Sequence, residues 1–205
     1  MDKEMFDFYK NAVVRNLCAD YKKEWKSDMA FQKKLYEFSM LTGSIPYLAT
    51  SIYRGWGIPI DYVAKNFTEY INGAYVIENS NGVEGATAVS YYDYEFIGEE
   101  LPYSLIAIYR CRGYCSCVDY GAPRLHISNH SDIDLSIGLD SRVWINLYDE
   151  SSVNLGDVCK GTTVYVVKYS DECKVNYKDC GGRVVIRRRD VDVDAFYEVK
   201  NINEK

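Results

Sequence analysis

Three cysteines, Cys111, Cys115 and Cys117, stand close together, and His126 and His130 follow. That is enough side chains for a zinc site by count. The spacing argues against one. No Cys-x-x-Cys pair is present, and Cys115-Ser-Cys117 alternates as a strand does, pointing both thiols to one side. The two histidines are separated by strand-and-turn sequence, not by one helical turn. Cys159 and Cys180 fall at equivalent places in two look-alike segments, close enough in a stacked fold for a disulfide. In a chain whose start shows no export signal, all seven cysteines read as free thiols. With only two histidines, no Gly-x-Ser-x-Gly elbow and no Cys/His signature, nucleophilic catalysis has no candidate. Glu95, Glu99, Glu100, Asp132, Asp134 and Asp149 offer carboxylate pairs for acid–base work on sugars. Any acidic surface supplies such pairs, so no catalytic residue is assigned. The expectation is no enzyme, no cofactor and no bound metal.

The elements that would position these groups are dominated by a repeat. Leu125–Leu135, Val143–Leu155 and Val164–Tyr177 read almost as one segment, and a shorter copy runs from Val184 to Val193. Anchored on Leu125, Val143, Val164 and Val184, the spacing is about twenty residues, the range of stacked solenoid units. Each copy holds a short alternating strand, a polar turn and a second alternating strand. The inward set of the first strand is Leu125/Ile127, Val143/Ile145, Val164/Val166 and Val184/Ile186. That of the second is Ile133/Leu135, Val153/Leu155, Val175/Tyr177 and Val191/Val193. One such coil cannot bury a core alone, whereas a stack can.

Alternation also assigns two outward rows. Asp134, Asn154, Asn176 and Asp192 form a polar ladder, too flat to cage calcium. His126, Trp144, Tyr165 and Val185 form an apolar, aromatic row that water does not suit. Its cover is either the chain's own helical region or hairpin, or another protein chain or a sugar. These four residues are the candidate binding site.

Upstream, Phe6, Tyr9, Val13, Leu17, Tyr21 and Trp25 recur at helical steps over 3–25. Ser27 caps a second helix bearing Phe31, Leu35, Phe38 and Leu41, and Pro46 opens a short third. A fourth spans about 60–71 and stops at Asn72-Gly73. From Gly73 the period becomes two. Ala74–Glu78 and Val83–Tyr94 make a hairpin through Asn79-Ser-Asn-Gly82, and a third strand covers Tyr103–Arg112. The expected fold is α+β: a helical domain over 1–73, an antiparallel hairpin and strand region over 74–122, and a parallel β-solenoid of three to four coils over 123–205.

Composition narrows the partners. The 205 residues carry a net charge of −6, so no basic field invites nucleic acid. No apolar run reaches the roughly 20 residues a bilayer span needs, no helix has a basic face, and the start Met1-Asp-Lys-Glu-Met lacks a signal peptide. Tyrosine is abundant, at 20 residues, which suits interfaces, sugar contacts or plain strands. The Arg187–Arg189 run, followed by acids, reads as a solvated strand end.

Four stretches carry a resemblance: Met5–Ala19, Gly43–Thr50, Phe67–Gly73 and Val166–Val175, together with the aromatic acidic stretch Tyr91-Tyr-Asp-Tyr-Glu-Phe96. The chain resembles a family of small uncharacterised proteins of phages and prophages of gut Bacteroidales bacteria, crAss-like phages among them. The cysteine cluster at 111–117 departs from that pattern. The resemblance implies a phage context, with a virion structural or assembly protein as the expected role. The implied partners are further copies of itself or another virion protein. A glycan-binding or glycan-cleaving module and an intracellular host-interaction protein are the alternatives. The implied location is the virion, after synthesis in the host cytoplasm.

Overall fold

The structure, a computed structural model, describes residues 58–69, 71–72, 76–78, 87–101 and 104–189, with the isolated positions Lys3, Glu4, Phe6, Asp7, Lys10, Ala49, Ile52, Tyr53 and Gly55. It divides into two compact units, Met1–Phe67 with Asp190–Lys205, and Thr68–Arg189. The expected helices over 3–25, after Ser27 and after Pro46 lie outside the described residues, apart from scattered helical positions. So do Val191, Asp192 and Val193.

In the first unit, helix α1 runs Ile60–Asn66 and is shorter than expected. Asp61 in its first turn and Lys65 in its last suit the helix dipole. The Asn66 side-chain amide donates to the Tyr62 carbonyl at 3.0 Å, an alternative to continuing the helix ladder. The C-cap Phe67 packs edge-on to Tyr62, ring centres 6.2 Å apart.

The second unit is a parallel β-solenoid of about five turns, two strands to the turn. Strand β1 (Val76–Glu78) pairs antiparallel with β2 (Thr87–Tyr92), as the hairpin reading expects. Turns then follow as β2 with β3 (Glu95–Leu101), β4 (Ser104–Tyr109) with β5 (Arg112–Cys117), and β6 (Arg124–Ile127) with β7 (Asp132–Ile137). The last two are β8 (Arg142–Leu147) with β9 (Ser152–Cys159), and β10 (Thr163–Lys168) with β11 (Lys174–Cys180). A closing strand, β12, covers Arg183–Arg188. The first sheet has the order β1-β2-β4-β6-β8-β10-β12 and the second β11-β9-β7-β5-β3.

The stack is therefore longer than the expected three to four coils and starts at Thr87. Strands β2 and β4 pair in parallel, with Val89 opposite Leu105, and β3 pairs β5 in parallel. An antiparallel arrangement holds at β1–β2 alone among the described strand pairs.

The inward faces carry the core. Leu105, Ala107, Leu125, Ile127, Val143, Ile145, Leu147, Val164 and Val166 come from the first sheet. Ile133, Leu135, Val153, Leu155 and Val158 come from the second. Cys115 and Cys117 join this core as small apolar fillers. Tyr91 and Tyr94 pack on Phe96 at 4.8 and 5.0 Å at its N-terminal end. At the other end Val175 and Val184 are half-buried, while Tyr177 and Ile186, both expected inside, are each 45% exposed.

Both corners of the turns are closed by buried small polar side chains. Cys111, Ser131, Ser151 and Cys173 occupy the position just before the second-sheet strands. Ser131 Oγ accepts the Cys111 N–H at 3.1 Å, and Ser151 Oγ donates to the Ile127 carbonyl at 2.9 Å. At the opposite corner Ser141 Oγ donates to the Val118 carbonyl at 3.0 Å, and Thr162 Oγ1 to that of Gly138 at 3.4 Å. Each bond ties one turn to its predecessor, and those of Ser131 and Ser151 satisfy backbone that burial cuts off from water. Ser131→Ala leaves the buried Cys111 N–H without that acceptor. The expected loss is about 1–3 kcal/mol of unfolding free energy, measured by urea titration against Ser136→Ala on the exposed face.

Candidate binding surface

The outward row of the first sheet is the candidate site. Trp144, Tyr165 and Val185 are direct partners on β8, β10 and β12. Their rings and side chains are half-buried. The Trp144 and Tyr165 rings stack with centres 5.8 Å apart and planes 13° from parallel. Parallel pairing produces this directly, because in-register neighbours on one face lie about 4.8 Å apart.

His126 does not complete this row. Opposite Trp144 stands Arg124, and His126 pairs with Asn146, two residues further along. Pro123 explains the offset. Its carbonyl accepts the Trp144 N–H at 3.1 Å and Gly121 accepts that of Arg142 at 2.9 Å, so 121–123 already fills the ladder beside the start of β8. Proline has no N–H to return, and β6 begins only at Arg124. A two-residue shift preserves the face of every side chain. For that reason the inward assignment of Leu125 and Ile127 holds although their partners are Ile145 and Leu147.

His126 lies instead in a buried polar-aromatic group. It is 5% exposed, and its Nδ1 is hydrogen-bonded to the Tyr148 hydroxyl at 3.0 Å. Tyr148 is 1% exposed and stacks on Tyr169 at 4.6 Å. Burial, with the Arg124 charge adding to it, pushes the imidazole down to about 3. Burial raises the Tyr148 hydroxyl well above the usual phenol range. Both rings are neutral at physiological pH and act as hydrogen-bonding core. Ser128 and Asn129 beside them are also buried, both bonded to the Ile108 carbonyl. In the sequence the Tyr148–Tyr169 stack carries no signal beyond a tyrosine directly before each corner turn.

The second outward row is placed as expected over the described residues. Asp134, Asn154 and Asn176 are in-register partners. Asn154 Nδ2 donates to Asp134 Oδ1 at 3.1 Å. The same face holds Glu95 at 3.9 Å from Arg112, Ser152 donating to Asp132, and Lys178 Nζ 3.1 Å from Asp157. Glu99 accepts the Tyr94 hydroxyl at 3.1 Å and the Ile97 N–H at 2.6 Å. These carboxylates are thus engaged in cross-turn and edge contacts, which at such exposure add little to stability.

The other groups with chemical potential are separated. Cys115 and Cys117 point into the core, where burial pushes both thiols up to about 12. His130 sits on an exposed corner, Nδ1 2.8 Å from Glu150 Oε2. Among the described residues, no three histidine, cysteine or acidic side chains converge as metal ligands do. Among them, too, no helix is long and apolar enough to cross a membrane.

No family model matches the chain, and no curated protein or solved structure matches it. The site must be read from its own geometry.

Proposed function

We propose that this protein is a structural or assembly protein of a phage particle, acting through protein–protein contacts. The observation that carries the reading is the in-register Trp144–Tyr165 stack on the outer face of the first sheet, flanked by exposed Arg124 and half-buried Val185. Tryptophan, tyrosine and arginine are the residue types that dominate binding energy at protein interfaces. A rigid parallel sheet holds them with little conformational freedom left to lose on contact. The partner is a further copy of the chain or another particle protein. The phage context comes from the sequence resemblance, and no catalytic role is part of the proposal.

Mass spectrometry of purified particles tests the location, and absence of the chain from them rejects it. Trp144→Ala tests the surface. The expected result is at least a tenfold loss of partner affinity, about 1.4 kcal/mol or more, with the far-ultraviolet circular dichroism unchanged. Unaltered affinity removes this surface from the interface.

The same flat aromatic pair suits the face of a sugar ring, which makes a glycan-binding or glycan-cleaving module the second reading. Binding on a glycan array that is lost in Trp144→Ala would favour it over the first. An intracellular host-interaction protein would use the same surface, and would be found by pull-down from infected cells.

A further inference from the structure

Two described cysteines stand apart from the core. Cys159 ends β9, Cys180 ends β11, and the two are direct ladder partners. Cys180 is exposed and Cys159 half-buried, whereas Cys111, Cys115, Cys117 and Cys173 are all buried. Paired residues on neighbouring parallel strands project to the same side, their Cα atoms about 4.8 Å apart. That separation lies within the roughly 4.4–6.8 Å a disulfide spans. The backbone around the pair is pinned, since Gly181 bridges to Cys159 and the Gly182 N–H donates to the Val158 carbonyl at 3.0 Å. Strand β11 has β9 as its one ladder partner among the described residues. A covalent link here would therefore act at an edge strand of the second sheet.

We propose that Cys159 and Cys180 form an oxidation site that closes to a disulfide and clamps β11 onto β9. The oxidant is a low-molecular-weight disulfide such as glutathione disulfide. The Cys180 thiolate, the more accessible of the two, attacks one sulfur of the oxidant. A mixed disulfide forms and one small thiolate leaves. The Cys159 thiolate then attacks the Cys180 sulfur and expels the second small thiolate. The two protein thiols lose two electrons and two protons. The oxidant's sulfur–sulfur bond is reduced to two thiols, which take up those protons. Loss of hydration and the Asp157 carboxylate hold the Cys180 thiol above its ordinary range, while Lys178 pulls the other way. Thiolate formation at Cys180, and with it the first exchange step, is therefore favoured by mildly alkaline pH.

The test treats the full chain with glutathione disulfide at mildly alkaline pH, alkylates remaining thiols under native conditions, and maps the peptides without reduction. The expected result is a Cys159–Cys180 peptide pair with the loss of two hydrogen masses, and a raised thermal midpoint that dithiothreitol reverses. Cys159→Ser, a change on the outer face that keeps the core intact, is expected to stop at the glutathione adduct on Cys180. A wild-type protein that also stops at that adduct overturns the proposal. So does a map in which Cys180 links preferentially to any other cysteine of the chain.

Discussion

Gly113→Ala is expected to cost about 4 kcal/mol or to prevent folding of the solenoid, placing it among the rare severe substitutions. Gly113 lies within β5 at φ +106°, outside the regions an L-residue occupies readily. A Cβ there would sit 2.2 Å from the Phe96 carbonyl oxygen, 3.0 Å from its nitrogen and 3.1 Å from its carbonyl carbon. All three are backbone atoms of the paired strand, with Phe96 and Gly113 direct partners in the ladder. Phe96 cannot retreat without lifting its ring off Tyr91 and Tyr94. The clash would therefore be relieved by separating β3 from β5 and exposing Phe96 and Leu101, both now buried.

Gly156→Ala is the control. Its φ is +60°, and nothing lies within 4 Å of the added Cβ. Only the left-handed backbone cost of about 1–2 kcal/mol should appear. Urea unfolding followed by circular dichroism separates the two. Equal, mild effects at both positions would show that β3 is not held against β5 as described.

The second large effect is acid destabilisation through His126. Its folded value lies near 3, against about 6.5 in the unfolded chain. Below pH 6.5 the unfolded state binds a proton that the folded state refuses. Stability is thus complete above that pH and falls as the medium is acidified toward 3. The steepest slope from one such group is about 1.4 kcal/mol per pH unit. Between pH 7 and pH 4 the accumulated loss is on the order of 3 kcal/mol.

His126→Gln keeps a hydrogen-bonding partner for Tyr148 and removes the titration. The variant should lose about 3 kcal/mol less than wild type over that interval, read as the difference between two urea-stability series. Carboxylates titrate in both proteins and cancel in the comparison. Parallel curves would mean that His126 is solvated when charged and not buried.

The polar line Asp134, Asn154, Asn176 was legible because β7, β9 and β11 have period two and adjacent turns of similar length. Trp144, Tyr165 and Val185 were legible for the same reason. His126 was misaligned because an apolar residue was matched to an apolar residue, and Pro123, which holds the ladder position before β6, carries no alternation. The turns built from β2 to β5 were harder. Their second-sheet strands, Glu95–Leu101 and Arg112–Cys117, use cysteine, glycine and glutamate where later turns use valine, leucine and isoleucine. Cys115 and Cys117 invite a chemical reading, yet their work is to fill volume. The serine and threonine corners are not legible, because a buried hydroxyl and a solvated one look alike in sequence.

Those corners set how the molecule counts. The hydroxyls of Ser151, Ser141 and Thr162 bind carbonyls about one turn earlier in the chain, at sequence separations of 24, 23 and 24. These corner contacts thus refer each turn to the one before it. The length of the stack is free in whole periods and fixed within them. Removing residues 143–163 would set Val164 where Val143 stood, its present ladder partner, and leave every face in phase. Removing only 143–152 would instead put Val153 where Val143 stood, bringing a second-sheet strand into the first sheet without the corner that precedes it. The fold behaves less as a shape of given size than as a rule with a period, and change by duplication or loss of whole turns is the change it accommodates.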